Sequence, residues 1–137
     1  MSKIVNSKLK FLRYEVNKIQ FINNPDYEMR DVEIDLEFNS AIERSEDYIA
    51  QKVSIEVFPN ALENGMPFQL QIDITGHFHL INESGEIDEK SIEINTLSIL
   101  FPYVRSLITT ITANANVPTL VLPLLNIIQT LEQNNEN

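Results

Sequence analysis

The chain contains no cysteine and only three glycines. Without cysteine there is no disulfide framework, no thiol nucleophile and no thiolate metal site. The lack also fits a reducing compartment. Three glycines leave almost nothing from which to build a loop that cradles phosphate. Gly85 lies near a helix start but has no second glycine beside it. Positive charge is scarce as well. Ten Lys and Arg stand against twenty Asp and Glu, a net charge of −10. Phosphate backbones need clustered cations, so nucleic acid is excluded as a partner. The balance favours solubility and partners with basic surfaces. Long apolar runs are missing too. Pro102, Arg105, Asn114 and Asn116 interrupt the best of them, which argues against a membrane-spanning helix. The first residues lack the apolar run of about 7–15 residues that marks a signal peptide. A cytoplasmic location with no direct membrane insertion is the expectation.

What is present reads as one domain over residues 1–137. A chain of this size buries roughly two thirds of its unfolded surface, enough for a core without staples. The first half has the period of strands. Asp31, Glu33, Asp35 and Glu37 alternate with Val32, Ile34, Leu36 and Phe38, the signature of a half-buried strand with one wet face. The period returns at Val53, Ile55 and Val57, and at Phe68, Leu70, Ile72 and Ile74. Leu12, Tyr14 and Val16 begin an earlier strand. Its apolar parity then switches to Ile19 and Phe21, which predicts a β-bulge at Asn17-Lys18. Four strands are expected, at 9–22, 30–41, 48–58 and 67–81. Segments 23–26 and 60–65 are turn material.

The second half changes period. Ile94, Leu97, Leu100, Val104, Leu107, Ile108 and Ile111 fall on one helical stripe. Asp88 and Glu89 suit its N-terminus. Pro102 should kink this helix or mark a start near 101. A shorter helix is expected over 124–133, and residues 133–137 are polar enough for a disordered tail. Between the helices, Pro118 and Pro123 bracket the apolar Thr119-Leu120-Val121-Leu122. Loops are usually polar because they face water. An apolar loop either caps the core or waits for a partner, and the pattern alone leaves both open. The class is α+β: a four-stranded antiparallel sheet, a long helix, a proline-bracketed crossover loop and a short C-terminal helix.

Ile99-Leu100-Phe101-Pro102-Tyr103-Val104-Arg105 resembles the ILFPYAR signature of the SecB family of protein-export chaperones. Val117-Pro118-Thr119-Leu120-Val121-Leu122 is similar to that family's crossover loop, and Asn126 falls where an Asn opens its last helix. Phe68 with Gly76-His77-Phe78, and Val32 with Ile34 and Leu36, match its strand blocks. The resemblance covers roughly residues 10–133. It implies a cofactor-free, ATP-independent holdase for unfolded or precursor polypeptides, assembled as a homotetramer from two dimers. One groove wall would be Val117, Leu120, Leu122, Ile127, Ile128 and Leu131. The other would be Val32, Ile34 and Leu36. The family docks the SecA motor through acidic residues on the outer sheet face. Here those places carry Lys18, Ile22 and Gln71, so a chaperone dedicated to an antitoxin is the alternative. The acidic row Asp31, Glu33, Asp35 and Glu37 is a candidate docking face for a basic partner.

No arrangement for catalysis stands out: no Ser–His–acid set and no activated lysine. His77 and His79 leave one strand face together. With Asp73 they could begin a zinc site, as a small-ligand or metal-binding module would need, though two partly solvated histidines are the plainer reading. Arg105 could bind a carboxylate, or simply make a structural or interface contact. No metal and no cofactor are expected.

Overall fold

The computed structural model describes residues 7–82 and 88–122. The C-terminal helix expected at 124–133, the tail 133–137, Gly85 and the candidate residues Ile127, Ile128 and Leu131 lie outside this range. Within it, four strands form one antiparallel sheet: β1 (Ser7–Asn23), β2 (Leu36–Ser45), β3 (Tyr48–Val57) and β4 (Phe68–Asn82). Their spatial order is β1-β4-β3-β2. Two hairpins join β2, β3 and β4, and a long connection carries β1 to the far side of β4, a Greek-key pattern. A single helical turn, α1 (Ala61–Asn64), separates β3 from β4, and α2 (Glu89–Asn114) follows the sheet. This is the α+β architecture read from the sequence.

The inner sheet face carries the apolar parity. Val53, Ile55 and Val57 of β3 and Phe68, Leu70, Ile72 and Ile74 of β4 are buried against α2. From α2 they meet Leu97, Leu100, Phe101, Val104 and Ile108. Ile94, Leu107 and Ile111 flank this cluster, half-buried. A second, smaller cluster joins Ile49, Phe78, Leu80 and Ile92. Between the two runs a polar seam. Gln51, fully buried, donates from Nε2 to Ser40 Oγ at 2.9 Å and to the Glu93 carbonyl at 3.4 Å. Gly76, opposite Gln51 in the ladder, lets α2 close onto the sheet there. A Cβ at this position would stand 3.0 Å from the Phe78 ring and 3.1 Å from both Leu100 methyls.

The bulge expected at Asn17-Lys18 is present as a register shift between Val16 and Lys18. A second shift lies between Phe11 and Arg13. It turns Tyr14 onto the inner face, where its ring meets Tyr103 of α2 at 4.6 Å.

Two expectations need correction. The alternation of residues 31–38 predicts a strand over 30–41, yet β2 begins at Leu36 and runs to Ser45. The cause is the neighbour. The ladder's last rung is the Phe58 N–H donating to the Asp35 carbonyl at 2.8 Å. Phe58 then takes φ 53° and Asn60 φ 56°, and β3 turns away into α1. A strand needs a partner, and none remains for residues 31–34. Of the outcomes expected for Pro102, a start near 101 does not occur: α2 is continuous from Glu89 to Asn114, with Pro102 inside it. Pro102 lies on its exposed side, where water can take the carbonyl that the missing N–H frees. Asp88 occupies the N-cap position, as its charge suggested.

Candidate functional site

The expected walls of the groove meet beside α1. Val32, Ile34, Phe58, Pro67, Phe68, Pro118 and Leu120 line a groove of about 440 Å³, rimmed by Tyr27, Arg30, Asp31 and Thr119. One wall is a strap, residues 27–35, without regular secondary structure. Its start is fixed by Asn24, which is buried. The Asn24 side chain donates to the Met66 carbonyl at 2.9 Å and accepts from the Asp26 N–H at 3.0 Å. Arg30 then donates to the carbonyls of Asn64 and Gly65, at 3.3 and 3.1 Å, so the last turn of α1 keeps its acceptors satisfied. The Asp35–Phe58 rung fixes the strap's far end. The floor is aromatic: the Phe68 ring lies 5.4 Å from Phe21 and edge-on to Phe58 at 5.2 Å.

The other wall is the crossover loop, and α2 holds it by its backbone. Thr112 Oγ1 accepts from the Leu120 N–H at 3.0 Å, and Thr109 Oγ1 donates to the Leu120 carbonyl at 2.9 Å. Thr109 and Thr112 are three apart on one helix face. Nothing in the composition singles them out. Only the spacing of two hydroxyls at the end of an apolar stripe could have pointed to them.

Of the candidate residues, the structure brings Val32, Ile34 and Leu120 together. Leu36 and Val117 are half-buried against the core flank, and Leu122 is buried within it. Leu120 itself is 8% exposed and Leu122 1% exposed. Ile34, at 48%, is the open apolar side chain of the groove. The acidic row does not share one strand face. Asp31 stands on the groove rim, Glu33 and Asp35 are exposed on the strap, and Glu37 alone lies in β2, opposite Glu56.

The outer sheet face carries a different constellation. His77 is buried, contrary to the expectation of two partly solvated histidines, whereas His79 is exposed. The His77 Nε2 lies 2.8 Å from Glu15 of β1, and its Nδ1 is bonded to the Tyr48 hydroxyl of β3. With hydrogen on Nε2, the ring donates to Glu15 and accepts from Tyr48. The chain Glu15–His77–Tyr48 thus ties three strands together. This His77 hydrogen bond holds the Glu15 carboxyl below the usual carboxylate range, with Arg13 adding to the effect and desolvation opposing it. The trio borders a shallow concavity of about 960 Å³ floored by Ala50 and Thr75. Among the described residues no group of three or more His, Asp or Glu could hold a metal. Arg105 is exposed on α2 beside Pro102. Lys18 and Gln71 meet on the outer face, Nζ to Oε1 at 3.5 Å, and Ile22 is 38% exposed on the same edge strand. Leu12, Tyr14, Val16 and Ile19 of β1 are also unusually open for apolar residues.

The described residues thus form a sheet backed by one long helix, with an apolar groove beside an anchored crossover loop. The sequence pattern of the preprotein translocase subunit SecB matches residues 12–137, and the chain belongs to the SecB family. It is 37% identical over 124 residues to an uncharacterized protein of Methanocaldococcus jannaschii, covering 87% of this chain and 79% of that one. The fold is similar to that of a Mycobacterium tuberculosis SecB-like chaperone, solved in complex with a ChAD peptide from the HigA1 antitoxin. The TM-score is 0.61 at 17% identity, over 85% of this chain and 86% of that one. A Streptococcus agalactiae protein of unknown function overlays with a TM-score of 0.48 at 18% identity, over 85% of this chain and 98% of that one.

Proposed function

We propose that the chain is an ATP-independent holdase that binds unfolded polypeptides in the groove between the strap and the crossover loop. The groove carries this reading: Val32, Ile34, Phe58, Phe68 and Leu120 offer apolar surface around a cavity of about 440 Å³. Unfolded chains have exposed apolar side chains and free backbone in common, and a general binder must recognise those. The mycobacterial structure, a SecB-like chaperone holding a peptide, supports the same use of the fold.

The working form is a homotetramer in this proposal, a dimer of dimers. β1 is a sheet edge with open apolar residues, and an exposed edge of that kind is normally covered. Two-fold pairing of such edges is the common way to close them. Light scattering at micromolar concentration is expected to give the tetramer mass, and a strict monomer would count against the assembly. The decisive assay is suppression of aggregation of a chemically unfolded model protein, without nucleotide. Suppression that needs ATP, or none at all, would overturn the holdase reading.

One observation favours a dedicated client over general export. Lys18 and Gln71 meet on the outer face and Ile22 is part-exposed on the same edge strand, and by the resemblance these are the places where the family presents acids to the SecA motor. On this second reading the client is an antitoxin. Polypeptides recovered with the protein from its native host separate the two: one dominant antitoxin supports it, and many precursors favour export.

A further inference from the structure

Phe58 has a backbone conformation that its side chain does not favour. Its φ of 53° lies in the left-handed region, where the Cβ crowds the following carbonyl and a bulky residue is an outlier. Strain of this kind persists only where the surroundings enforce it. Here the enforcing term is burial. Along β3 the side chains alternate, with Val53, Ile55 and Val57 turned to the core. A straight continuation would turn Phe58 outward. The left-handed residue turns it inward beside Val57, 4% exposed, with its ring edge-on to Phe68 at 5.2 Å against the groove. Backbone strain and apolar burial therefore oppose each other at a single residue.

The strap fits the relaxed alternative. The β2–β3 ladder pairs Leu36 with Val57. Continued in the same register, it sets Asp35 against Phe58, Ile34 against Pro59, Glu33 against Asn60 and Val32 against Ala61. Parity holds throughout, since Val32 and Ile34 stay on the face of Leu36. The rung at Phe58 is half made. Its N–H donates to the Asp35 carbonyl at 2.8 Å, but among the described residues no bond returns from the Asp35 N–H to the Phe58 carbonyl. A hydrogen-bonded pair of an antiparallel ladder exchanges both. The next such pair is Glu33 with Asn60. Pro59 falls between the two and faces away from the strap, so its missing N–H does not interrupt the extension. What holds the segments apart is small. The single turn α1 is closed by the Asn64 N–H on the Asn60 carbonyl at 3.0 Å. Gln69 accepts from the Ala61 N–H at 3.2 Å, and Arg30 donates to the Asn64 and Gly65 carbonyls.

We propose that Phe58 is a two-state latch on the groove. In the open state, the one in the structure, its ring lines the groove. In the closed state Phe58 takes an extended backbone and its ring leaves the groove. The turn α1 unwinds, and residues 32–35 zip onto residues 58–61. An apolar client side chain packed on the Phe58 ring stabilises the open state alone, so client binding and latch opening are coupled. The inference rests on the holdase reading and adds the internal equilibrium that opens and shuts the groove.

The test compares Phe58→Gly with Phe58→Val in the full chain. Both lose the ring, but glycine takes positive φ freely, whereas a β-branched residue resists it and favours a strand. The Glu33 amide reports the state. It has no backbone partner in the structure and donates to Asn60 once the strap zips. Hydrogen–deuterium exchange followed by NMR should find this amide at least about tenfold slower in Phe58→Val than in Phe58→Gly. Equal rates overturn the latch. In the parent, relaxation dispersion should reveal microsecond-to-millisecond exchange at residues 31–35 and 58–64. A flat profile there overturns the latch even if Phe58→Val does not fold. A reduced and carboxymethylated model protein should bind Phe58→Val at least about tenfold more weakly than Phe58→Gly. Equal affinities, with Glu33 protected in Phe58→Val, overturn the coupling to client. A parent that suppresses no aggregation removes the holdase reading, while the exchange data decide the latch separately.

Discussion

At the scale of single residues, burial separates the groove residues that serve the core from those left open. Had the crossover leucines been free, Leu120→Glu and Leu122→Glu would have left the melt nearly unchanged. Both are buried, so the double variant is expected to unfold well below the parent. Leu122→Ala alone should cost about 2–5 kcal/mol, read by denaturant unfolding. Ile34 is the residue for a binding test. It is half-exposed, so Ile34→Asp should shift stability by no more than about 0.5 kcal/mol and still weaken client capture in the aggregation assay. Thr112→Val removes the acceptor of the Leu120 N–H. A buried donor left unpaired costs about 1–3 kcal/mol, and the variant should also admit protease to the crossover loop earlier than the parent. Glu15 governs an acid transition. Its carboxyl is held low in the fold, chiefly by His77. The stability it lends is therefore complete above the ordinary carboxylate pKa and is lost as pH falls through the lowered value. Glu15→Gln should flatten the acid limb of a stability–pH curve and leave its alkaline side alone. The division between core and groove could not be read from sequence, because leucine in a core and leucine in a groove have the same neighbours in the chain. His77 reads in sequence as a partly solvated strand histidine, and only the fold brings it the partners on β1 and β3 that bury it.

At the scale of elements, periodicity served well wherever an element's own neighbours were also its partners in space. The alternation in β3 and β4 matched their buried rows, and the parity switch in β1 located the bulge between Val16 and Lys18. The second bulge, at Leu12, left no parity signal, because Leu12, Tyr14 and Val16 keep their spacing across it. The strap failed for a different reason. Its pattern is that of a strand, but strandedness belongs to a pair, and β3 ends before it can pair with residues 31–34. The continuous α2 shows the same limit. A proline at an exposed position needs only water to take the freed carbonyl, and exposure is not written in the local sequence. Gly76 gives an element-scale prediction. Gly76→Ala pushes a methyl against the Leu100 and Phe78 side chains at about 3 Å, so these must give by a few tenths of an ångström within a filled core. Overpacking of this kind typically costs about 1–3 kcal/mol, measurable by thermal or urea unfolding.

At the scale of the whole molecule, one sheet edge and one strap remain open in a single copy, and they differ in chemistry. β1 shows apolar residues, with Ile19 48% exposed, while the strap and β2 show acids. If β1 closes the assembly, Ile19→Lys should yield a smaller species by light scattering with a near-parental melt. The same variant need not lose the groove, since β1 and β2 lie at opposite edges of the sheet. The polar seam through Gln51 has a consequence for how the molecule breathes. It divides the apolar interior so that Ile92 of α2, with Ile99 beside it, rests on the small group of Ile49, Phe78 and Leu80. Leu97, Leu100, Phe101, Val104 and Ile108 rest on the large one. Cooperative unfolding units follow such divisions. Amide hydrogens of residues 93–96 should therefore exchange with deuterium through a partial opening, well before those of residues 101–108, which should wait for the whole sheet to come apart.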